Sequence, residues 1–461
     1  MKNIVTYHID PVIDNSEVQY VFNFAFNSIG IKTKKVDSPQ ADVCYGNLNY
    51  NAPVVIRHND KDTLVEVKSI KVNANGGSKS IEFDIINSIR FFILDIANQN
   101  LPEQAYDKHE RVSFEGSYQY KHNIYQSPIV NELVGFFEGI IKQAFPDIGL
   151  LPRWPNGKRG VILLSHDVDN PVKHANLMNF FKYKENRTNP LGILQYGARL
   201  ARYILDAKRN EFWLFKKVAV EEAKYGFKST FFFASKNRFE AGASPLDVDY
   251  NIESKAFKKV FRTLKEIGSE IGLHASYNAY QSVEHFMVEK KKLEVVANTE
   301  VKGLRHHYWH MTKNMYKTLE MHSQAGFKYD CSIAFNNEVA FRYNVALPFY
   351  PYGQQKQALI ECMQLPTFCM DMALFNKPDM GIDEGMQKIK KHLDAIRATG
   401  GIGAVDWHEY TSYPSSRFQT VGSAYVKLLS ILDADYKDLW VPSCAEAYGW
   451  ISEREKKLRQ N

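Results

Sequence analysis

Apolar and polar positions follow two rhythms along the chain, and they divide it. Over residues 1–150, short apolar runs of strand type (4–7, 54–57 and 64–67) alternate with stripes at helical spacing. One stripe carries Val18, Val21, Phe22 and Phe26 behind an Asn15/Ser16 cap, whose side-chain oxygens can accept the orphan N–H groups of a first turn. A second, over 80–98, repeats Ile81, Ile85, Ile89, Phe92 and Ile96. A polar stretch (99–126) then leads to a third helix over 128–144. The segment LPRWPNGKRG at 151–160 gathers proline, glycine and charge, which break both rhythms, and reads as a linker.

From residue 161 the pattern is strand, loop, helix, repeatedly. VILLS (161–165) and KSTFFFAS (228–235) read as buried strands, the second led in by a helix over 211–225. Helix AFKKVFRTLKEIG (256–268) stops at Gly268 before strand EIGLH (270–274). A basic helix over 283–297 precedes VKGLRHH. The next helix is capped by Thr312, closes at Gly326 and leads into FKYDCS. Finally a helix over 382–399 ends at Gly400 and Gly401 before strand IGAVDWH (402–408). Such alternation predicts a parallel sheet, open or closed into a barrel. Residues 170–210 carry no strand signal and read as an insertion. The expected organisation is a smaller N-terminal α/β domain (1–150), a linker (151–160) and a larger domain (161–461).

Composition narrows the function classes. Hydrophobic residues at 44% and charged residues at 24% describe a globular chain, and 461 residues are too many for one ordinary core. The net charge of +6, from 58 basic and 52 acidic residues, is too small to argue for nucleic acid, and at most favours a mildly anionic substrate. Five widely spaced cysteines suggest neither a zinc cluster nor a disulfide framework. The start, MKNIVTYHIDPVIDNSEVQY, lacks a secretory pattern, and no apolar run approaches a membrane span. These features predict a reduced, cytoplasmic protein.

The candidate chemistry lies where strands end. SHDVD (165–169), GLHASYN (272–278), RHHYWH (305–310) and DWHEY (406–410) each place histidine or aspartate after an apolar run. In parallel α/β folds those ends meet at one rim and form the site. Asp167 and Asp169, two apart on an extended segment, can face one side, one binding a metal and the other free as a base. His274 and Asn278 have the spacing of one helical face, and Asp, His and an Asn carbonyl make a mixed site for a divalent ion such as zinc. His306, His307 and His310 are a further imidazole source. In extended chain His306 and His307 face opposite ways, so at most one of them enters the site.

On these motifs, taken in order, residues 155–450 resemble the polysaccharide deacetylases of the NodB-homology type, carbohydrate esterase family 4, in a subgroup with an extra N-terminal domain. The resemblance implies a distorted, incomplete (β/α) barrel and one bound divalent metal, zinc. It implies Asp167 as base, Asp169, His274 and Asn278 as metal ligands, and Arg305 orienting the base. It further implies His408 as acid, tuned by Asp330. His306, His307, Tyr308 and Trp407, on the same motifs, are candidate substrate contacts. Three departures stand out: Asn278 replaces a histidine, the proline usual near Arg305 is absent, and the leucine usual before His408 is out of register.

The implied activity is metal-dependent removal of N-acetyl, or O-acetyl, groups from an acetylated oligo- or polysaccharide. The alternative is a deacetylase-like glycan-binding protein that has lost catalysis, which Asn278 and the irregular fifth motif favour. His166–Asp167 also matches the HD dipeptide of metal phosphohydrolases, but those place it on a helix and VILLS reads as a strand.

Overall fold

The computed structural model describes residues 2–48, 50–61, 63–75, 77–172, 210–377 and 380–460. Near the amino terminus six strands form one sheet: β1 (Ile4–Ile9), β2 (Lys32–Lys35), β3 (Val43–Tyr45), β4 (Val54–Ile56), β5 (Val72–Asn75) and β6 (Ser78–Ile81). Their order is β2-β1-β3-β4-β6-β5, and every neighbouring pair except β5–β6 is parallel. Helix Ser16–Ile29 begins where Asn15 Oδ1 accepts the Val18 N–H at 3.0 Å, and ends at Gly30 with φ +98°.

Two expectations fail here. Residues 64–67 form no strand and run into a 3₁₀ turn, Val67–Ser69. The helix expected over 80–98 is shorter, Ile85–Ile93. Ile81 ends β6, Asp84 caps the helix, and Ile96 lies in a separate 3₁₀ turn behind Asp95, whose φ is +51°. Ile81 still enters the same apolar cluster as the helix, which is why the stripe looked continuous.

The larger sheet is a curled, distorted barrel. Its strands are β7 (Gly160–Val168), β8 (Ser229–Phe233), β9 (Glu270–Ala275), β10 (Gly303–His306), β11 (Tyr329–Asp330), β14 (Met363–Gln364), β15 (Thr367–Met370), β16 (Ile402–Asp406) and β17 (Leu439–Trp440). A small antiparallel pair, β12 (Tyr352–Gly353) and β13 (Ala358–Leu359), stands apart. The order is β14-β11-β10-β9-β8-β7-β16-β15, all parallel, with β17 beside the start of β7. The terminal strands β14 and β15 are two halves of one run of chain. Leu365 N–H donates to Asp330 O at 3.0 Å on one side, and Pro366 O accepts from Ala404 N–H at 2.7 Å on the other. The barrel is incomplete as a ladder: continuous chain joins β14 to β15 where strand pairing would otherwise stand.

Helices Phe215–Ala223, Lys255–Ile267, Val283–Ala297, Ile382–Thr399 and Gln419–Asp435 lie outside this wall, and their apolar faces share one large core with the outward strand residues. The helix expected from Thr312 starts at Met315, after Asn314. The insertion expected over 170–210 falls, for residues 173–209, outside the described residues. A second core joins the N-terminal sheet to residues 311–360. The apolar side chains of the N-terminal sheet and its helices pack in one cluster with Met311, Leu319, Ile333, Tyr343, Leu347 and Ile360. Residues 151–160 are anchored between them: Trp154 is buried, with Nε1 donating to Gly400 O at 2.8 Å. Arg153 reaches Ser28 O at 3.0 Å and Thr399 O at 2.9 Å.

Candidate active site

Strand alternation decides which side chains reach the barrel mouth. On β7, Ser165, Asp167 and then Asp169 face inward, while His166 faces the outer core. His166 Nδ1 there donates to Trp407 O at 2.8 Å, and Nε2 lies 2.8 Å from Glu222. On β10 and its continuation, Arg305 and His307 face inward and His306 does not. From β16 come Asp406 and His408, with Trp407 between them facing out.

Asp169, His274 and His307 converge. One ligand atom from each lies within 4.8 Å of the other two. Asp169 Oδ1 is 3.2 Å from His274 Nε2 and 3.6 Å from His307 Nε2, and among the described residues this buried oxygen has no donor at full hydrogen-bond geometry. His274 Nδ1 donates to Arg305 O at 3.1 Å, which fixes the tautomer and leaves Nε2 free as a donor to a metal. His307 Nδ1 lies 3.8 Å from Asp247, itself buried and anchored by the Tyr277 N–H at 2.7 Å. Burial pulls the His307 pKa down, but Asp169 and Asp247 more than offset it and lift it to about 9. One carboxylate oxygen and two imidazole nitrogens fit a divalent ion such as zinc with an open coordination position.

The third ligand of this group therefore comes from His307, not from position 278. Asn278 does not line the cleft onto which the group opens; it begins the 3₁₀ turn Ala279–Gln281 with its carbonyl toward His285. The i, i+4 argument required a helical continuation after β9, and the chain makes a turn there instead.

Beside this group Arg305 is fully buried and ties the inner wall together. Its Nη1 meets Asp167 Oδ1 at 2.9 Å and Asp406 Oδ1 at 3.1 Å, Nη2 donates to Ser165 Oγ at 2.8 Å, and Nε to Cys331 O at 3.2 Å. Two buried carboxyls on one guanidinium do not both ionise easily. Burial would raise Asp167, but His274 and Arg305 bring it below the usual carboxylate range. Burial and the Asp167 charge push Asp406 well above it. Asp406 was not foreseen, although its alternation with His408 marks it as inward.

His408 adjoins this group, with Nε2 3.5 Å from Asp169 Oδ2. Its partner is Asp371, not Asp330. Nδ1 donates to Asp371 Oδ1 at 2.8 Å and the His408 backbone N–H to Oδ2 at 3.1 Å. Burial lowers the His408 pKa, but Asp371 outweighs it and the imidazole is held well above its ordinary value. Asp330 is turned into the wall, where Oδ1 accepts from Ser332 N–H at 3.0 Å and Oδ2 lies 3.8 Å from His322. The signal for Asp371 was present in the sequence, since it follows TFCM as Asp167 follows VILLSH. Pro366 masked the strand.

Comparison with known proteins adds the following. A family of unknown function (DUF7033) matches residues 8–146. No curated protein matches. A Mycobacterium smegmatis structure assigned as a polysaccharide deacetylase is 15% identical, over 66% of this chain and 93% of that one, with a TM-score of 0.44. A CE4 family pseudoenzyme from Bacillus anthracis is 10% identical over 64% and 66%, TM-score 0.33. A polysaccharide deacetylase from Bacillus cereus is 12% identical over 62% and 91%, TM-score 0.31. With TM-scores this low, the chemistry of the site stands on its own geometry.

The site opens on a cleft of about 780 Å³, lined by Asp167, Asp169, His274, His307, Asp406 and His408 among others. Tyr308, Met372, Tyr410 and, from the turn 107–111, Asp107, Lys108, His109 and Arg111 line it too. Of the four expected substrate contacts, Tyr308 lies on the rim of the cleft, 41% exposed. His307 belongs to the ligand group. His306 is buried, its Nε2 2.9 Å from His322 Nε2, and cannot touch a ligand in the cleft. Trp407 is fully buried against Tyr425. His310 stacks on Tyr277, ring centroids 4.0 Å apart.

Proposed function

We propose that this chain is a metal-dependent hydrolase that removes acetyl groups from an acetylated oligo- or polysaccharide. The observation that carries the reading is one cleft holding three kinds of group side by side. These are the Asp169–His274–His307 ligand group, a carboxylate locked by Arg305 (Asp167), and an imidazole locked by a carboxylate (His408 on Asp371). A divalent ion, zinc in our reading, supplies a Lewis acid to the acyl oxygen when bound.

The chain's own residues supply the rest. Asp167, kept ionised by Arg305, takes the proton of the attacking water. His408, kept protonated by Asp371, delivers a proton to the leaving nitrogen or oxygen. Such acid–base assistance contributes about 10²–10⁴-fold. Tyr308 and Tyr410 offer ring faces of the kind sugars stack on.

The test is turnover of acetylated chito-oligosaccharides and of an aryl acetate, with metal analysis of the same samples. Asp167→Asn is expected to lose at least about 10²-fold in turnover while keeping its metal. Full activity in that variant would end the mechanism. Bound glycan with no turnover of any acetylated substrate by the wild type would favour a glycan-binding protein instead.

A further inference from the structure

Residues 107–111, within the stretch matched by the family of unknown function, reach across to the cleft. They form a tight turn: Asp107 N–H donates to Arg111 O at 2.9 Å, and Tyr106 bridges to Val112. Asp107 grips Arg111 with Nε at 2.8 Å and Nη2 at 2.7 Å, which orients the guanidinium and leaves Nη1 pointing outward. That Nη1 donates to the backbone carbonyl of Tyr308. Beside it, His109 Nδ1 meets Tyr277 Oη at 2.8 Å, and its ring lies 5.0 Å from that of Tyr308.

The carbonyl that Arg111 holds belongs to a strained step. Tyr308 has φ +57° and Trp309 φ +48°, two consecutive bulky residues in the left-handed region. Bulky side chains rarely adopt that conformation, and it persists only where its surroundings enforce it. The step follows directly on His307 and turns the chain off β10. Were it to relax, the peptide after His307 would rotate and its imidazole would leave Asp169 and His274.

We infer that the 107–111 turn is a positioning element for the ligand group, with Arg111 clamping the Tyr308–Trp309 step so that His307 Nε2 stays aimed at Asp169. The inference rests on the metal-site reading above. It gives the N-terminal part of the chain a task in the chemistry of the barrel. Partners that orient a ligand from outside the first coordination sphere typically change metal affinity by about 10–100-fold when removed.

The experiment is competitive zinc titration of full-length protein against a chromophoric chelator, with thermal melting of each apo-protein alongside. Arg111→Ala is expected to weaken zinc binding at least about tenfold. Arg111→Lys is expected to fail to restore it, because one ammonium cannot grip Asp107 and reach Tyr308 O together. Glu103→Ala breaks an exposed ion pair to Lys313 that joins the same two regions, and should leave zinc affinity unchanged. In a Tyr308→Gly background, where positive φ carries little cost, Arg111→Ala should weaken zinc binding by less than half as much on a logarithmic scale. Zinc affinity unchanged in Arg111→Ala, equal loss in Glu103→Ala, or full additivity with Tyr308→Gly would each overturn the clamp. If Arg111→Ala does not fold, additivity measured with Arg111→Lys decides instead. A wild type that binds no zinc fails the metal reading; a wild type that binds, with His307→Ala weakened and Arg111→Ala not, fails the clamp alone.

Discussion

At the residue scale, the assignment of His408's partner can be tested directly. The Asp371 carboxylate accepts from both the ring Nδ1 and the backbone N–H of His408, so Asp371→Asn should lower the His408 pKa and move the alkaline limb of the pH–rate profile downward. Turnover of amides should fall by about 10²-fold or more, and of aryl esters less, since a good leaving group needs no proton. Asp330→Asn should leave that limb in place. A shift on changing Asp330 instead would restore the pairing that motif order implies. A second residue sets a pH limit on the fold itself. Glu289 is buried and accepts from Ser276 N–H at 2.9 Å, and burial lifts its pKa from 4.5 to about 7. The folded chain therefore keeps a proton that the unfolded chain has lost between those values, and stability falls as pH rises through that window. The loss is on the order of 3 kcal/mol by pH 7 and above. Glu289→Gln should flatten the dependence, seen as denaturation midpoints at pH 5 and pH 8 that lie closer together than in the wild type.

At the scale of elements, strand ends were legible and their long-range partners were not. Asp167, Asp169, His274, Arg305 and His408 could be found because each follows an apolar run, and alternation also separates His307 from His306. What sequence spacing cannot supply is which neighbour completes a group. Asn278 had the right local interval, but β10 brings His307 from about thirty residues further on. Asp330 had the right motif order, yet it sits on β11, whereas Asp371 follows β15 beside β16. Trp407 shows the reverse error: taken as an aromatic contact, it lies one step out of phase with His408. Strand β10 carries Arg305 and leads directly into His307, and its register depends on a glycine. A Cβ at Gly303 would stand 2.0 Å from the Tyr329 ring on the paired strand. Gly303→Ala should cost about 1–3 kcal/mol, seen as a lower denaturation midpoint, and should weaken metal binding by displacing Arg305 and His307. Wild-type stability in this variant would mean the Tyr329 ring swings clear.

At the scale of the whole molecule, two sheets share one fate. The apolar cluster of the N-terminal sheet continues into Met311, Leu319, Ile333, Tyr343 and Leu347, so cutting between the two strips both faces. A chain reduced to residues 151–461 is expected to expose that surface and aggregate or bind hydrophobic dye, and the full chain to melt in one calorimetric transition. Two separated transitions, or a soluble and cooperatively folding fragment, would show that the halves are independent.

The segment 363–370 has a further consequence. A barrel shut by a row of backbone hydrogen bonds can fray open along that seam, whereas here the seam is a single covalent link between residues 365 and 366. Thermal fluctuation cannot break that link, so β14 and β15 stay beside each other even when their own short ladders to β11 and β16 loosen. The weakness is transferred to cleavage: a nick at that link would leave β14 and β15 held to the barrel only by their own short ladders to β11 and β16.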